Sequence, residues 1–560
     1  MKYNILIGGA AGQGMETLSS LLAKLLQRKG YHVFTLQDYM SRVRGGHNFF
    51  QVRFGDEEVK SHSEELDGII ALNDETLELH TIRLKDTGFI ICDDEVASVD
   101  PRKISVPAKC LAAESGNPRA ASSVQLGALA GLFGLDDLHL DTILSEKFDE
   151  KVAKENLAAF HKGLALTGKR FDIGSGPLEG QMLVHGNDSI ALGALAAGMK
   201  FYSAYPMTPS TSIMSYLVKR ARNAKIVVEQ AEDEIAAINM AIGASYAGAR
   251  AMTGTSGGGY SLMVEAVGLA GITETPLVIA EIQRPGPATG LPTRTEQSDL
   301  RFVISSSHGE FPKMVIALRN PADAFYQTAR AFDLADKYQL PVIILGDQYL
   351  ADCTRTVAPF DVMSVEINRH LADTVPYEEG ETYSRYRITD SGISPRLIPG
   401  TVPGTSVNSD SDEHDENGSI TESAEVRIMM VDKRDRKFQL LKGEVKEPEF
   451  TGTDDPDILL VAWGSLDSPV KEALDILQDD ADVSYGALIF GDIWPLPQKL
   501  LLEKAKNARK VVNVEQNHDG QLASLIMQET GLRMDHSILR YDGRPMSGSE
   551  IAARIKEALK

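Results

Sequence analysis

Short apolar segments alternate with amphipathic segments along most of the chain, and this alternation is typical of α/β folds. Residues 2–7 are apolar and run into a glycine-rich turn, leucines at helical spacing follow, and residues 31–36 are apolar again. The sequence therefore predicts a strand, a helix and a second strand, which is the beginning of a parallel α/β unit. Further strands are predicted at residues 68–72 and 88–92, followed by helices at 126–133 and 152–163.

Two interruptions of the alternation divide the chain into domains. A glycine-rich linker separates residues 1–170 from a second α/β stretch at residues 182–375. Residues 376–450 are rich in Gly, Pro, Ser and acidic residues and are long for a loop, so we interpret them as a connecting excursion. The alternation resumes through residues 451–560. The predicted fold class is α/β, with three αβα parallel-sheet domains.

Composition and charge exclude several classes of function. The formal net charge of −22 argues against a protein that binds a nucleic-acid backbone. The longest apolar runs are shorter than a bilayer span, and glycines interrupt the start of the chain before a signal sequence could form. We therefore expect a cytoplasmic protein with neither a nucleic acid nor a membrane as partner.

The cysteines of the chain are few and far apart. They are Cys92, Cys110 and Cys353, and no CxxC motif occurs. Four thiolates are needed for a [4Fe–4S] cluster, so this chain alone cannot hold one. Any one-electron carrier of that kind must reside on another subunit.

Four segments carry a resemblance to a known family. YPMTPST at residues 205–211, the acidic and glycine-rich segment 229–259, and QRPGPATGLPTRTEQSDL at 283–300 closely resemble the pyrimidine-binding domain of the 2-oxoacid:ferredoxin oxidoreductases. SRVRGGHNFFQVR at 41–53 resembles the gamma portion of the same enzymes, and the second N-terminal motif is the glycine turn GGAAGQGM at residues 8–15. The family depends on thiamine diphosphate, and the resemblance covers most of the chain.

The resemblance implies a role for each domain. Residues 1–170 would form a gamma-type catalytic domain, 182–375 the pyrimidine-binding domain and 451–560 a domain like the C-terminal domain of transketolase. The chain would then be a fused gamma–alpha subunit. Its beta partner would hold Mg²⁺ and a [4Fe–4S] cluster and would share the thiamine diphosphate, and the expected assembly is an (αβ)2 heterotetramer that is active only with the beta subunit.

The implied reaction is the oxidative decarboxylation of a 2-oxoacid with coenzyme A as co-substrate and ferredoxin as electron acceptor, or its reverse. We predict 2-oxoglutarate as the substrate and succinyl-CoA as the product, with pyruvate or branched-chain 2-oxoacids as alternatives. The absent partner contributes to side-chain selectivity, so this chain alone does not fix the 2-oxoacid.

Thiamine diphosphate catalysis requires an acid beside the aminopyrimidine ring, and apolar neighbours must raise the pKa of that acid. Glu234 borders the apolar part of a predicted helix and shares one face with Ile238 and Ile242. The resemblance also places the family's catalytic glutamate at Glu234. The alternative is that the acidic cluster only favours a helix N-terminus, and Glu232 is the second candidate.

A 2-oxoacid carries a carboxylate that needs a charged or hydrogen-bonding partner. The resemblance assigns its contacts to Thr208 and Arg294, and a guanidinium binds carboxylate through two parallel hydrogen bonds. The alternative is that Thr208 lies in a simple turn and Arg294 is a surface cation. Glycine lets the backbone approach a flat ring closely. The residues expected at the cofactor are Tyr205, Pro206, Gly257 and Gly258, together with Glu234.

The two N-terminal motifs predict a site for the phosphates of coenzyme A. A glycine turn before a helix and an arginine-rich Gly-Gly segment offer backbone amides and positive charge. The alternative is that these arginines bridge subunits. His47 has no partners at metal-ligand spacing, so no metal site is expected on this chain. The candidate coenzyme A residues are Gly12, Gln13, Gly14, Arg42, Arg44 and Gly45.

Two other classes of function were considered. The turn GGAAGQG is a partial match to a dinucleotide-binding motif, which would indicate a Rossmann-type nucleotide-dependent oxidoreductase. That interpretation leaves residues 183–300 unexplained. The chain could also be a non-catalytic paralogue, but the presence of Thr208, Glu234 and Arg294 counts against it.

Overall fold

The computed structural model describes residues 1–40, 46–372, 374, 383–478 and 482–560. The strands in this part of the chain form sheets of eight, seven and five strands. The predicted α/β fold class is confirmed. The chain divides into two compact units, the first made of Met1–His185, Asp352–Pro359 and Ser547–Glu550 and the second of the remainder. The predicted domain boundaries stay a prediction.

The first unit is built around the strand that precedes the glycine turn. This strand, β1, pairs in parallel with one neighbour and antiparallel with the other. Helix α1 packs on the sheet because its leucines recur at helical spacing and are buried. The elements are β1 (Lys2–Ala10), α1 (Met15–Arg28), β2 (His32–Asp38), β3 (His47–Gly55), β4 (Leu66–Ala71), α2 (Asp74–His80), β5 (Leu84–Cys92), β6 (Lys103–Ser105), α3 (Ala108–Glu114), α4 (Ala121–Phe133), α5 (Leu140–Lys147), α6 (Glu150–Leu164) and β7 (Met182–His185).

The second unit continues the alternation of strands and helices. It contains α7 (Gly186–Ala196), β8 (Phe201–Ala204), α8 (Thr211–Ala224), β9 (Val227–Gln230), α9 (Glu234–Tyr246), β10 (Ala251–Thr255), α10 (Gly257–Ile272), β11 (Leu277–Gln283), α11 (Leu300–Ser305), β12 (Met314–Ala317), α12 (Pro321–Tyr338), β13 (Pro341–Asp347) and α13 (Gln348–Asp352). The next strand, β14 (Thr354–Val357), belongs to the sheet of the first unit. The chain then forms α14 (Ala424–Leu441), β15 (Glu449–Gly452), β16 (Ile458–Trp463), α15 (Asp467–Leu477), β17 (Tyr485–Phe490), β18 (Asp492–Trp494), α16 (Lys499–Asn507), β19 (Lys510–Glu515), α17 (Gln521–Thr530), β20 (His536–Leu539) and α18 (Gly548–Ala558).

The eight-stranded sheet has the order β6-β5-β4-β1-β3-β2-β14-β7. Strand β3 lies between β1 and β2 and is antiparallel to both. The predicted strand–helix–strand unit is therefore present, but its two strands are not neighbours. The inserted strand comes from the second half of the arginine-rich motif, for which the hydrophobic pattern had predicted no strand.

The seven-stranded sheet has the order β18-β12-β13-β11-β10-β8-β9, and all its pairs except β18 with β12 are parallel. The loops that follow β8, β9, β10 and β11 therefore meet at one edge of the sheet. The five-stranded sheet has the order β15-β17-β16-β19-β20 and is parallel except for β15. Buried side chains of both sheets form one hydrophobic cluster within the second unit.

Within the second unit, buried charges attach the described part of the excursion to the neighbouring elements. Lys433 and Lys437 of α14 donate to the two carboxylate oxygens of Glu274 at 2.5 and 2.7 Å. Arg385 donates to the backbone carbonyl of Glu274 at 2.8 Å. The predicted excursion thus contains a helix that the hydrophobic pattern did not indicate. Among the described residues, no helix combines the length and the apolar composition that crossing a membrane requires.

Candidate active site

Glu234 is the first residue of α9. The helix begins there because the side chain of Asp233 caps it and accepts a hydrogen bond from the backbone N–H of Ala236 at 2.7 Å. Glu234 is 3% exposed, and among the described residues its Oε1 has no hydrogen-bond partner. Burial raises the pKa of Glu234, and the charge of Asp233 raises it further. The site therefore contains a buried acid with one oxygen available to a ligand.

The end of the glycine run makes room for this carboxyl group. A Cβ added to Gly259 would lie 2.5 Å from Oε1 of Glu234 and closer still to Oγ1 of Thr255. Gly257 lies against Asp299 instead, and Gly258 is exposed. The glycine that contacts Glu234 is therefore Gly259, which the sequence analysis did not name although it belongs to the same motif.

The loop between β8 and α8 lies beside this acid. The sulfur of Met207 is 3.9 Å from Oγ1 of Thr255, the hydroxyl group that also lies next to Gly259. Pro206 and Thr208 are half-buried, and Tyr205 is exposed. Strands β8, β9 and β10 thus bring the YPMTP loop, the start of α9 and the start of α10 together.

The loop after β11 carries the guanidinium groups of Arg284 and Arg294. Arg284 donates from Nη1 to the backbone carbonyl of Thr208 at 2.6 Å. Arg294 is half-buried, and a Cβ on Gly543 would lie 3.0 Å from its Cβ. Arg284, which the sequence analysis did not name, therefore contacts the backbone of Thr208. The carboxylate-binding role of Arg294 stays a prediction.

The same loop is held by the carboxyl end of the five-stranded sheet. The backbone N–H of Gln297 donates to the carbonyl of Gln516 at 2.7 Å, and its side chain donates to the carbonyl of Trp463 at 3.0 Å. Asn517 in turn donates to the carbonyl of Gln297 at 3.0 Å. The position of Arg294 thus depends on residues more than 160 positions away in sequence.

Two buried acids and one half-buried acid near this region were also missed by the sequence analysis. Burial raises the pKa of Glu281, at the end of β11, well above its ordinary value. Burial also raises the pKa of Asp299 to about 6 and that of Asp347 to about 6. Asp347 has partners, since it accepts a hydrogen bond from Ser465 and another from the backbone N–H of Leu350.

The residues around Glu234 fit the aminopyrimidine ring of thiamine diphosphate. A ring nitrogen needs an acid that can share a proton, and the unpartnered Oε1 of Glu234 with its raised pKa meets that need. The ring also needs space beside the acid, and a side chain at position 259 would remove that space. The residues of this chain fit the pyrimidine half of the cofactor.

The candidate coenzyme A residues lie in the first unit. Gly12 and Gly14 have φ of +91° and +88°, a region that favours glycine, and they form the turn between β1 and α1. Gln13 accepts a hydrogen bond from the backbone N–H of Ala10 at 2.7 Å. The N-cap residue of α1, Gly14, makes no side-chain cap, so within the described part of the chain the N-terminal amides of α1 remain available to an anion. Arg42, Arg44 and Gly45 lie outside the described residues.

Two models of protein families match the chain. The one described as "Pyruvate ferredoxin/flavodoxin oxidoreductase" matches residues 4–166. The one described as "Pyruvate flavodoxin/ferredoxin oxidoreductase, thiamine diP-bdg" matches residues 192–433. The two matches cover the regions that carry the glycine turn and the candidate acid.

Curated relatives match over the whole chain. The alpha subunit of 2-oxoacid:ferredoxin oxidoreductase 2 from Aeropyrum pernix is 31% identical, over 100% of this chain and 98% of that protein. The alpha subunit of the 2-oxoacid:ferredoxin oxidoreductase from Sulfolobus sp. is also 31% identical, over 100% and 97%. The 2-oxoglutarate synthase subunit KorA of Methanothermobacter marburgensis is 33% identical, over 60% of this chain and 88% of that protein.

One solved structure is similar over its full length. The 2-oxoglutarate:ferredoxin oxidoreductase from Magnetococcus marinus, with 2-oxoglutarate, coenzyme A and succinyl-CoA bound, superposes with a TM-score of 0.92. It is 32% identical in sequence, and the match covers 100% of both chains.

Proposed function

The chain belongs to the 2-oxoacid:ferredoxin oxidoreductase family, and we propose from this premise that it is the alpha subunit of an enzyme for 2-oxoglutarate. The reaction would convert 2-oxoglutarate and coenzyme A to succinyl-CoA and CO₂, with two electrons passed to ferredoxin, or run in reverse. The observation that carries the proposal is the buried, unpartnered Oε1 of Glu234 at the edge of the seven-stranded sheet.

The choice of 2-oxoglutarate is supported by the relatives. The Magnetococcus marinus protein was solved with 2-oxoglutarate and succinyl-CoA, and the Methanothermobacter marburgensis relative is named a 2-oxoglutarate synthase subunit. The Aeropyrum pernix and Sulfolobus relatives carry the broader name 2-oxoacid:ferredoxin oxidoreductase. Pyruvate and branched-chain 2-oxoacids therefore remain the alternative substrates.

Glu234 would hold the cofactor at its pyrimidine ring. Bound thiamine diphosphate supplies a thiazolium carbon that attacks the keto carbon of the substrate. Glu234 would share a proton with ring nitrogen N1′, because burial raises the pKa of its carboxyl group and so keeps the protonated form populated. Gly259 gives the ring room beside the acid. Tyr205, Pro206, Gly257 and Gly258 stay candidates for further cofactor contacts.

The two substrates would bind to different units of the chain. Thr208 and Arg294 would bind the carboxylate of the 2-oxoacid, since a hydroxyl group and a guanidinium both donate to carboxylate oxygens. The open N-terminus of α1 and the turn Gly12, Gln13 and Gly14 would bind a phosphate of coenzyme A. Arg42, Arg44 and Gly45 are proposed to join them.

A beta subunit would complete the enzyme. The relatives are alpha subunits, and helices α9 and α10 carry exposed apolar side chains. Ile235 and Met240 of α9 are 49% and 42% exposed, and Leu262 of α10 is 51% exposed. Exposed apolar side chains of this kind are typical of a surface that a partner protein covers. We propose that this partner holds Mg²⁺, the diphosphate of the cofactor and a [4Fe–4S] cluster, in an (αβ)2 assembly that transfers electrons to ferredoxin.

The test of this function is a parallel assay of the holoenzyme. The chain would be produced with its untagged beta partner, and viologen reduction would be followed with 2-oxoglutarate, pyruvate and 2-oxoisovalerate, each with and without coenzyme A. We expect the highest kcat/KM with 2-oxoglutarate and a dependence on coenzyme A. A higher kcat/KM with pyruvate would overturn the substrate, and an assembled, cofactor-loaded holoenzyme inactive with all three would overturn the function.

Substitution of Arg294 tests the substrate-binding site separately from the cofactor-binding site. In Arg294→Met, the loss of a charge-assisted pair worth about 1.5–3 kcal/mol should lower kcat/KM by roughly ten- to over a hundredfold, through a raised KM. Exchange of the C2 proton of the cofactor should stay normal, and Arg294→Lys should recover only part of the loss. Loss of cofactor binding or of assembly would instead place Arg294 at an interface.

A further inference from the structure

The loop after β11, which carries Arg294, is held at Gln297, three positions further along the chain. Gln297 is 0% exposed, and both its backbone groups and both ends of its side chain form hydrogen bonds. Its backbone N–H donates to the carbonyl of Gln516 at 2.7 Å, and its Oε1 accepts from the backbone N–H of Gln516 at 3.2 Å. Its Nε2 donates to the carbonyl of Trp463 at 3.0 Å. These partners lie at the carboxyl ends of β16 and β19.

Asn517 forms the remaining hydrogen bond with the backbone of Gln297. Its Nδ2 donates to the carbonyl of Gln297 at 3.0 Å and to Oε2 of Glu515 at 2.9 Å. Its Oδ1 accepts from the backbone N–H of Gly520 at 2.8 Å. Asn517 is 1% exposed, so these hydrogen bonds are shielded from bulk water. Asn517 thus joins the loop after β11 to Glu515 through a single amide group.

Glu515 is a fixed anchor for Asn517. It is 0% exposed, and within the described part of the chain its carboxyl group accepts hydrogen bonds from five N–H donors. Two of these are backbone amides in the first turn of α17, where amides have no partner inside the helix. Glu515 therefore connects the end of β19 to the start of α17. The donors are the side chains of Trp463, Asn513 and Asn517 and the backbone N–H groups of Leu522 and Ala523, at 2.9 to 3.1 Å.

Gln521, the first residue of α17, holds the same loop further along. Its Nε2 donates to the backbone carbonyl of Ser298 at 2.6 Å. Its Oε1 accepts from the backbone N–H of Arg301 at 2.9 Å. Gln521 is half-buried. The attachment of the loop to the five-stranded sheet and its helices therefore extends from Gln297 into the start of α11.

We propose that Asn517 is a positioning residue for substrate binding: by tying Gln297 to Glu515, it holds Arg294 where its guanidinium meets the carboxylate of the 2-oxoacid. This inference rests on the proposed function, in which Arg294 binds that carboxylate. It goes beyond that function because Asn517 lies in the segment after β19 and acts through the loop, without a contact of its own to the substrate. A loop that is already held in its binding conformation loses less conformational freedom when the substrate binds, so the anchor contributes to substrate affinity.

The first experiment measures kinetics of Asn517→Leu in the holoenzyme with its beta partner. Leucine keeps the approximate shape of the side chain and removes its hydrogen bonds, while four donors to Glu515 remain. The KM for 2-oxoglutarate should rise about three- to tenfold, because the loop must then be ordered on binding. We expect kcat to change less than about twofold and exchange of the C2 proton of the cofactor to stay normal.

The dependence on Arg294 separates positioning from a general loss of structure. In an Arg294→Met background the guanidinium is absent, so Asn517→Leu should change KM by less than about twofold. A purely structural role would raise KM by the same factor in both backgrounds. Equal factors, or an unchanged KM in Asn517→Leu alone, would overturn the positioning role.

Gln521→Ala is the second variant, and Gln528→Ala is its matched control on the same helix. Gln528 is exposed and lies seven positions further along α17. Gln521→Ala should raise KM at least about twofold, which keeps the proposal testable if Asn517→Leu does not assemble. Gln528→Ala should leave KM unchanged, and an equal rise in both glutamine variants would contradict the proposal.

The same measurements distinguish this inference from the proposed function. Wild-type turnover of 2-oxoglutarate with a raised KM in Arg294→Met leaves the proposed function standing, even if Asn517→Leu has no effect and the positioning role fails. A cofactor-loaded wild-type holoenzyme without turnover would count against both.

Discussion

The side chain of Glu234 is buried, and its surroundings leave one carboxyl oxygen free to bind a ligand. The acid lies at a helix start that Asp233 caps, and its Oε1 is left without a partner in the described residues. Gly259 provides the adjacent space, and Thr255 links this space to Met207 of the preceding loop. The position of Glu234 therefore depends on the space beside Gly259 and on the loop that contains Met207. Small substitutions at this site should have a measurable effect on catalysis.

Glu234→Gln should leave the fold and the subunit pairing intact and remove most of the turnover. The amide cannot share a proton with N1′, so exchange of the C2 proton should slow by roughly 10²–10⁴-fold, the contribution typical of general acid–base catalysis. Proton exchange measured by NMR on the cofactor-loaded holoenzyme checks this. Near-normal exchange would move the acid to Glu232 or elsewhere.

Gly259→Ala should impair the enzyme far more than Gly258→Ala. The added Cβ at position 259 would meet Oε1 of Glu234 at 2.5 Å, whereas the nearest neighbour of one at position 258 is a carbonyl oxygen at 3.5 Å. Displacing the acid should slow C2 proton exchange by at least about tenfold in the first variant only. Equal effects in the two variants would mean that Gly259 does not set the position of Glu234.

At the scale of elements, α14 is attached by buried charges as well as by apolar residues. Glu274 is 0% exposed and binds Lys433 and Lys437, which are equally buried. Burial opposes the ionisation of Glu274, but the charges of Lys433, Lys437 and Arg385 outweigh it and hold its pKa below the ordinary value. The stability that this carboxylate contributes is therefore present above the ordinary glutamate pKa and is lost as the pH falls below it.

Glu274→Gln should destabilise the second unit by about 3 to 5 kcal/mol, because two lysines would remain buried without a counter-charge. Lys433→Met should cost much less, since Lys437 still neutralises Glu274 and the methionine replaces buried volume. Urea unfolding at neutral pH measures both. A larger loss in Lys433→Met than in Glu274→Gln would contradict this account of the cluster.

At the scale of the whole molecule, the division of chemistry between subunits follows from what this chain carries. It contains the buried acid and an open helix N-terminus, but only three cysteines, two of them buried. Helices α9 and α10 also carry exposed apolar side chains. Electron transfer and the other half of the cofactor site are therefore proposed for the partner.

The purified chain alone should be colourless and unable to reduce viologen, because three scattered cysteines cannot supply the four thiolates of a cubane cluster. Addition of the beta subunit should give a brown complex with activity that depends on coenzyme A. Iron and sulfide analysis of both preparations checks the prediction. Stoichiometric iron and sulfide in the isolated chain would contradict the proposed division.

The sequence by itself determined the features that depend on local pattern. Apolar runs separated by amphipathic segments led to the α/β class, and the confirmed family resemblance rests on motifs such as YPMTPST. Glu234 was found as a candidate because it borders an apolar helix. Helix α14 was not found, because charged residues occupy much of its buried face and hydrophobic periodicity cannot detect them. The members of that face are Met430, Lys433, Arg434, Lys437 and Leu441.

Only the tertiary structure decided which side chains meet across strands. It placed Gly259 rather than Gly257 against Glu234, and Arg284 against the carbonyl of Thr208. It also buried Glu281, a residue that no motif had distinguished. Such contacts join loops that follow different parallel strands, so their distances depend on strand order and register. A pattern read along the chain gives the composition of each loop but not its neighbours.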